Sequence, residues 1–427
     1  MIYIILLLCF ALGVPIAFSL GTSCVLAITA DPSLNMVWIA QKMFAGINSF
    51  PYLALPFFIL AGNIMAEGGI SRRLVTFFSA IVGRFRGGLA IVAVLVSLFF
   101  GAICGSAAAC CAAVGAILIP GMLEKRYSNA FSAATVSAAS CLGVMIPPSV
   151  PMVLYCFMAG SGASISDGFM AGIVPGIIFG LAFILVALIV SRKNDFGGDR
   201  KYSGKEILHA LLDSVLAFLT PVIILGGIYS GIFTATEAAV IAVFYSIIIS
   251  MFVYREMSWK KLAKVFLESG ILAASILLII SIAAVFSVIL SKQHVPQLLA
   301  QFFASVAQNK YVFLLFVNIL LLILGMFMEN ASCIIIMTPL LAPIAASYGV
   351  NLIHFGVIMV CNLAIGMVTP PFGLCLFMGA DLAKAKLGDT IRSLVPYLVV
   401  SVIALALITY IPAVSMGLVD LLKGLGK

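Results

Sequence analysis

Two stretches decide the fold: Gly143-Val144-Met145-Ile146-Pro147-Pro148 and, much later, Gly366-Met367-Val368-Thr369-Pro370-Pro371. Both read GxxxPP, and both lie inside apolar runs, 129–160 and 353–380, that are long enough to span a bilayer. Adjacent prolines remove backbone donors, and their rings clash with the preceding turn. The residue before each proline is pushed toward extended geometry. A helix therefore cannot run straight through either place. Carbonyls around Gly143–Ile146 and Gly366–Thr369 are freed at mid-membrane depth, where an unpartnered carbonyl is costly unless something binds it.

Upstream of each motif lies an apolar stretch of 36 residues, 88–123 and 311–346. A single span needs about 20 residues, so each stretch is too long for one and too short for two with a turn. The first is interrupted by Gly101-Ala102-Ile103-Cys104-Gly105-Ser106, the second by Gly325-Met326-Phe327-Met328-Glu329-Asn330. Small residues tolerate a reversal. Each stretch predicts two half-length helices folded into a re-entrant hairpin, whose tip must face protein or a water-filled cavity. The competing reading is one long tilted helix with glycines for packing. From Gly101 to Pro147 is 46 residues and from Gly325 to Pro370 is 45, and Ser106 and Asn330 each fall five residues after the tip glycine. One GxxxPP is a weak signal. Two at matched spacing after matched tips are a repeat.

Further upstream, 71–86 gathers Leu74, Phe77, Phe78, Ile81 and Phe85 on one helical face. The segment 295–308 does the same with Leu298, Leu299, Phe302 and Val306. Both are expected to be amphipathic arms at a membrane surface.

The composition agrees. Of 427 residues, 64% are hydrophobic and 9% charged, and mean hydropathy is +1.27. A soluble domain carries about 25% charged residues. This chain must use the lipid bilayer as its solvent. Its net charge of +8 falls in short loops between apolar runs, a pattern of membrane orientation rather than nucleic-acid binding. With the N-terminus in the cytoplasm, 18 of the 23 Lys and Arg fall inside and 5 outside, provided both 36-residue stretches return to the side they entered from. The C-terminus then lies on the outer side, and the arm preceded by an inward span in one unit is preceded by an outward span in the other. The units are inverted. The N-terminal run 1–29 lacks a basic n-region and a clear cleavage site, and reads as a span rather than a signal peptide.

The fold class that follows is an all-α polytopic membrane protein: an inverted repeat with two re-entrant helical hairpins and two broken helices. Residues 1–51 form an N-terminal scaffold span and interfacial helix. Repeat 1 is 52–167, with arm helix 71–86, hairpin 88–123 and broken helix 129–160. Scaffold spans and cytoplasmic loops fill 168–267. Repeat 2 is 268–380, with arm helix 295–308, hairpin 311–346 and broken helix 353–380; 381–427 is a C-terminal scaffold span.

This is the architecture of a secondary transporter. A desolvated sodium ion suits a cage of carbonyls and hydroxyls, with half-helix C-terminal ends adding negative potential. The tips offer the Ser106 hydroxyl, the Asn330 amide and Glu329, the one carboxylate deep within an apolar stretch. Such an acid is a functional candidate, and it also fits a helix N-cap. No GxxxxGK[ST] loop is present, so the chain does not hydrolyse ATP. Paired carboxylates and His clusters are missing, which argues against an enzyme; His209, His294 and His354 are far apart and expected at interfaces. Duplicated ion cages argue for coupling over the continuous conduction of a channel. The ten cysteines show no ligand spacing and read as small packing residues.

The run Phe99-Phe100-Gly101-Ala102-Ile103-Cys104-Gly105-Ser106-Ala107, the Ile146-Pro147-Pro148-Ser149 segment and Gly325-Met326-Phe327-Met328-Glu329 resemble the large membrane subunit of tripartite ATP-independent periplasmic (TRAP) transporters, over nearly the whole chain. The resemblance implies a sodium symporter of the bacterial inner membrane that takes an organic acid, such as a sialic acid or C4-dicarboxylate, from a periplasmic binding protein. It implies a small four-helix membrane subunit as a separate chain, an elevator mechanism, and no cofactor beyond Na+ as coupling ion. Carried over, one sodium site combines Ser106 with carbonyls near Gly143, Ile146 and Pro148. The other combines Gly325, Glu329, Gly366 and Thr369, with Glu329 where the family pattern has aspartate. Substrate would meet Ser106, Ser149 and Asn330, although a Ser149 hydroxyl bonded back to its own helix is an equal reading. A stand-alone sodium–dicarboxylate symporter of similar architecture is the alternative.

Overall fold

Long apolar runs leave backbone polar groups no partner but one another, and every regular element among the described residues is helical. The computed structural model describes residues 8–9, 12–29, 36–194, 196 and 202–425. Parts of the expected N-terminal span, together with Arg200, Lys201 and Lys427, lie outside the described residues. The chain opens with α1 (Ile16–Thr29) and α2 (Met36–Ile47). Repeat 1 follows as a span α3 (Ala54–Glu67), an arm α4 (Ile70–Val82), a hairpin of α5 (Gly88–Cys104) and α6 (Ala107–Glu124), and a broken helix of α7 (Asn129–Ser140), α8 (Leu142–Met145) and α9 (Val150–Ala159). Then come α10 (Ile165–Lys193), α11 (Gly204–Tyr229) and α12 (Ala235–Ile248), the last extended by a π turn. Repeat 2 has the same order: span α13 (Trp259–Lys292), arm α14 (Val295–Val306), hairpin α15 (Lys310–Phe327) and α16 (Asn330–Ser347), broken helix α17 (Leu352–Gly366) and α18 (Leu374–Leu382). The chain ends with α19 (Leu387–Tyr410) and α20 (Pro412–Leu425).

Parity gives the inversion. The hairpins return and the first broken helix crosses back, so the three spans α10, α11 and α12 leave α13 running opposite to α3. The broken helix of repeat 1 bends by 43° at its proline pair. Both proline pairs, Pro147-Pro148 and Pro370-Pro371, are joined by cis peptide bonds.

Capping follows the sequence closely. Ser106, Ser128, Ser149, Asn309, Glu329 and Asn351 each accept a backbone N–H at the start of a limb, a contribution of about 1 kcal/mol apiece. Burial separates two populations. From Phe131 to Ser140 in α7 and from Ile353 to Gly366 in α17, every residue is buried. In contrast, α10, α11 and α19 expose Leu181, Leu185, Val222, Val399 and Ile403. Helices apolar all round suit hydrocarbon outside and protein inside. All ten cysteines are free thiols and all but Cys9 are buried, as packing residues should be.

Two expectations change. The hairpin limbs are not half-length: α5 has 17 residues and α6, α15 and α16 have 18. Tip and break nevertheless meet in repeat 1, because Asn129–Met145 and α5 are equally long. The first arm ends at Val82 rather than residue 86, since Gly83 and the left-handed Gly87 turn the chain into α5. Phe85 thus lies past the arm and is exposed, as is Ile81 in the arm's last turn.

Candidate functional site

A cavity of about 340 Å³ lies where both hairpin tips, both proline breaks and two outer spans converge. Tip 1 contributes Cys104 to Ala109 and tip 2 contributes Glu329, Asn330 and Ala331. The breaks contribute Val144, Val150, Pro151, Met367 and Leu374, and α3 and α13 close it with Ile59, Asn63, Leu272 and Ile276. Its size falls at the lower end of the small-molecule range.

Two pairs of glycines hold the tips to the breaks. A Cβ on Gly101 would stand 2.6 Å from the Gly143 Cα, and a Cβ on Gly366 would stand 2.6 Å from the Gly325 Cα. The expected tip glycines thus do not form the reversals. They sit in the last turns of α5 and α15 as backbone contact points, and the reversals fall at Gly105-Ser106 and Met328-Glu329. The pairing of tip residues shifts with them. Ser106 corresponds by role to Glu329, both N-caps, whereas Asn330 is the first residue of α16.

Ser106, Gly143 and Pro148 come together around tip 1. A Cβ on Gly143 would lie 3.0 Å from the Ser106 carbonyl oxygen, and one on Gly105 would lie 2.9 Å from the Pro148 carbonyl oxygen. Gly105 has φ +59°, which lets the tip press on the break without a side chain. Ile146 is extended at the end of α8, with its side chain turned toward Gly176 of α10. At tip 2, Gly325 meets Gly366, and Glu329 shares the cavity wall with Met367. Thr369 donates its hydroxyl to the Ile365 carbonyl at 2.7 Å, leaving lone pairs as acceptors. Glu329 Oε2 takes the N–H groups of Ala331 and Ser332 at 3.0 and 3.3 Å, and Oε1 carries neither of these bonds.

Ser149 is placed otherwise. Its hydroxyl donates to the Val144 carbonyl and accepts from Met152 N–H, and it is 2% exposed. It caps α9 behind the wall that Val150 and Pro151 form. Asn330 is the opposite case: it lines the cavity, is 1% exposed, and neither amide atom has a partner among the described residues.

Electrostatically, the cavity is ringed by the starts of α6, α9, α16 and α18, through Ala107, Val150, Asn330 and Leu374. The first N–H groups of a helix have no partner within it, and its dipole favours an anion there. No Lys, Arg or His lines the wall. Among the described residues no group of three His, Cys, Asp or Glu is placed to hold a transition metal. Neutral hydroxyl and amide groups beside helix starts suit an anionic group here.

Three groups escaped the sequence reading. Asn63 donates to Ser269 Oγ at 2.9 Å and presents the amide of α3 to the cavity. It is the one strongly polar side chain between 52 and 66, and that was the available signal. Asn362 Nδ2 donates to Asn318 Oδ1 at 2.7 Å, and Asn318 Nδ2 donates to Thr409 Oγ1 at 3.1 Å, tying hairpin 2, the second broken helix and α19. His354, expected at an interface, is 2% exposed; Ser415 Oγ and the Thr409 carbonyl face its two ring nitrogens at 2.6 and 3.3 Å. It stands in the first turn of its helix, and α20 folds over that end.

A sequence model of the family described as "Tripartite ATP-independent periplasmic transporter, DctM component" matches residues 3–414. The chain is 43% identical over 405 residues to the isethionate TRAP transporter permease protein DctMQ of Oleidesulfovibrio alaskensis, covering 95% of this chain but only 64% of that relative's length. It is 43% identical over 400 residues to the C4-dicarboxylate TRAP transporter large permease protein DctM of Pseudomonas aeruginosa, 94% of this chain and 93% of that one. Identity to the sialic acid TRAP transporter large permease protein SiaM of Vibrio cholerae is 34% over 415 residues, 97% of each. In fold it is similar to the YdaH transporter of Alcanivorax borkumensis, with a TM-score of 0.61 at 13% identity over 88% of each chain.

Proposed function

The chain belongs to the family of tripartite ATP-independent periplasmic transporters as their DctM component, and on that premise we propose that it imports an organic acid by sodium symport through an elevator motion. It is a multi-pass membrane transport protein rather than an enzyme. The observation that carries the proposal is the single cavity in which both tips and both breaks meet. One sodium ion is held by Ser106 and the carbonyls of Gly143, Ile146 and Pro148, the other by Gly325, Glu329, Gly366 and Thr369. The acid lies between them against Ser106 and Asn330, with the starts of α6 and α9 facing its anionic group. Ser149 acts behind this wall as the cap of α9.

The hairpins and broken helices move together as the transport body, because the glycine pairs lock tip to break in each repeat. The arms α4 and α14 join that body to α3 and α13. The protein sits in the bacterial inner membrane with its N-terminus cytoplasmic and its C-terminus periplasmic. It works with a small four-helix membrane subunit and a periplasmic binding protein. Sialic acid and C4-dicarboxylates, the classes the sequence resemblance implies, differ in charge and in hydroxyl count, and the cavity can discriminate on both.

Uptake into proteoliposomes tests this directly. Transport should require an inward sodium gradient, the small subunit and the binding protein together. Uptake by the chain alone would favour the stand-alone symporter, and sodium current without substrate would favour a channel. Sodium-independent uptake would remove the ion sites altogether.

A further inference from the structure

Helices α10 and α11 follow one another in the chain yet do not pack along their length. Between them lies an open apolar groove of about 510 Å³, floored by Phe99 and Pro147 and flanked by Ile173, Ile177, Pro221 and Val222. Every side chain on its wall is apolar. Break 1 therefore stands between two spaces, with Val144 and Val150 on the functional cavity and Ile146 and Pro147 on this groove.

From the groove a strip of exposed side chains follows α10 at every fourth residue, Ile177, Leu181, Leu185 and Ile189, and ends at Lys193. Arg192 and Lys193 are exposed, as is Arg84 in the turn before α5, and none of the three has an acidic partner among the described residues. That turn is pressed on the same end of α10, since a Cβ on Gly87 would stand 2.6 Å from the Ser191 Cβ. The Arg84 guanidinium lies over the exposed Phe85 ring, 4.8 Å from its centroid, an aromatic at the level where membrane interfaces favour one.

We propose that the groove and its basic head bind one anionic glycerophospholipid, with the phosphate at Arg84, Arg192 and Lys193 and one acyl tail laid along α10 as far as Pro147. Length supports it first. Ile177 and Arg192 are 15 residues apart, or about 22 Å of helix. Half a bilayer, measured out to its headgroups, is about 20–22 Å. The groove thus sits where tails end, and the basic residues sit where headgroups lie. Charge supports it second. Basic residues at the inner ends of spans are expected of any membrane protein. Here, however, three exposed cations from two elements converge at the head of one apolar strip, an arrangement that holds an anionic headgroup. The wall has no group to pair with a polar ligand, and burying one there would be costly. This seat is independent of the ion sites, and its failure would leave them standing.

Quenching by brominated lipids tests the seat. Val222→Trp, in a chain carrying Trp38→Phe and Trp259→Phe, puts a single indole at the groove. In phosphatidylcholine nanodiscs, phosphatidylglycerol brominated near the tail end should reach half-maximal quenching at a mole fraction at least tenfold below that of brominated phosphatidylcholine. Arg192→Gln with Lys193→Gln should cut this preference to twofold or less. Lys384→Gln with Lys386→Gln, an exposed basic pair away from the groove, should leave it intact. Equal quenching by the two lipids overturns the proposal. Equal loss in both double variants reduces the preference to general surface charge and overturns the site. Protection of the indole from both lipids would mean that a second copy of this chain covers the groove, and overturns it as well. Where the indole variant does not fold, native mass spectrometry of the unaltered chain decides. At least one phosphatidylglycerol should stay bound after transfer to detergent and be lost from Arg192→Gln/Lys193→Gln; retention in neither or in both overturns the assignment.

Discussion

In the first repeat the arm α4 buries Ile70, Leu74, Val75 and Phe78, and α11 closes over it. Phe218 of α11 stands among Phe77, Phe78 and Phe99 at centroid separations of 5.1–6.0 Å. In the second repeat the arm α14 buries Phe303 and leaves Leu298, Phe302 and Val306 outside. There the arm, hairpin 2 and α13 line an open apolar groove of about 650 Å³, with no helix of the described chain in the place that α11 takes in repeat 1. Charge widens the contrast. Arg73 of α4 pairs with Glu256 at 2.7 Å and Asp213 at 3.3 Å and stacks on Tyr254, while Arg72 also pairs with Glu256. Matched hydrophobic patterns thus lead to opposite surroundings. Lipid tails are as apolar as leucine, so an amphipathic face in a membrane does not by itself call for a protein neighbour. The tips repeat the lesson at smaller scale, with one plan and two different caps.

The strongest way to break the comparison is through the glycine pairs, where the repeats should behave alike. Gly101→Ala and Gly366→Ala drive a Cβ into backbone at 2.6 Å, and each should destabilise by about 3 kcal/mol or more. Gly325→Ala meets backbone at 3.1 Å and should cost clearly less. Gly388→Ala and Gly417→Ala, which meet nothing within 4 Å, serve as controls. Thermal unfolding in detergent reads all five. Equal losses at contact and control positions would dissolve the claim that tip and break are locked together.

Next in size is the difference between the arms. Phe218→Ala removes a ring held by three others and should cost about 2–3 kcal/mol. Phe302→Ala, on a face left to the bilayer, should change stability by less than about 0.5 kcal/mol. Similar losses for both would mean that arm 2 is covered after all. On the ion sites the repeats should again agree: Ser106→Ala and Thr369→Ala should each raise the sodium concentration for half-maximal uptake about tenfold, or about 1.4 kcal/mol. Unchanged values in both would remove the two residues from the cages.

What the sequence displayed was whatever lies along one segment. Hydropathy placed the outer ends of both hairpins to within about one residue, since hydrocarbon leaves a single segment nothing but helix to satisfy its backbone. The proline pairs located the breaks because a missing N–H is a property of the residue itself. Contacts between segments stayed hidden. Gly101 and Gly325 read as turns because a glycine in a chain looks the same whether it bends or is pressed upon. Asn63 and Ser269 are 206 residues apart, and no spacing rule joins them. The cover that α20 lays over His354 was hidden as well, because depth along a helix says nothing of what folds over it. Ser149 offered two readings, and only the geometry of the break turned its hydroxyl inward.

The smallest effect concerns the charged pin of arm 1. Glu256 lies in the loop before α13, outside the spans. Burial raises its pKa, but hydrogen bonds and charge from Arg73 and Arg72 outweigh burial and hold the carboxyl below its ordinary value. A folded-state pKa below the unfolded one means that the unfolded chain binds the proton first on acidification. The stabilisation is therefore complete above the ordinary carboxylate range, about pH 5 and higher, and is lost as pH falls through the depressed value. The stability gap between the protein and Glu256→Gln should stay constant from neutral pH to about 5 and close below about 4. With side chains 24% exposed at Glu256 and 15% at Arg73, screening limits the gap to about 1 kcal/mol at most. Added salt should narrow it further. A gap that widens on acidification would mean the carboxyl is held neutral rather than paired with the two arginines. The first arm would then rest on its phenylalanines alone, and the two arms would differ only in what covers them.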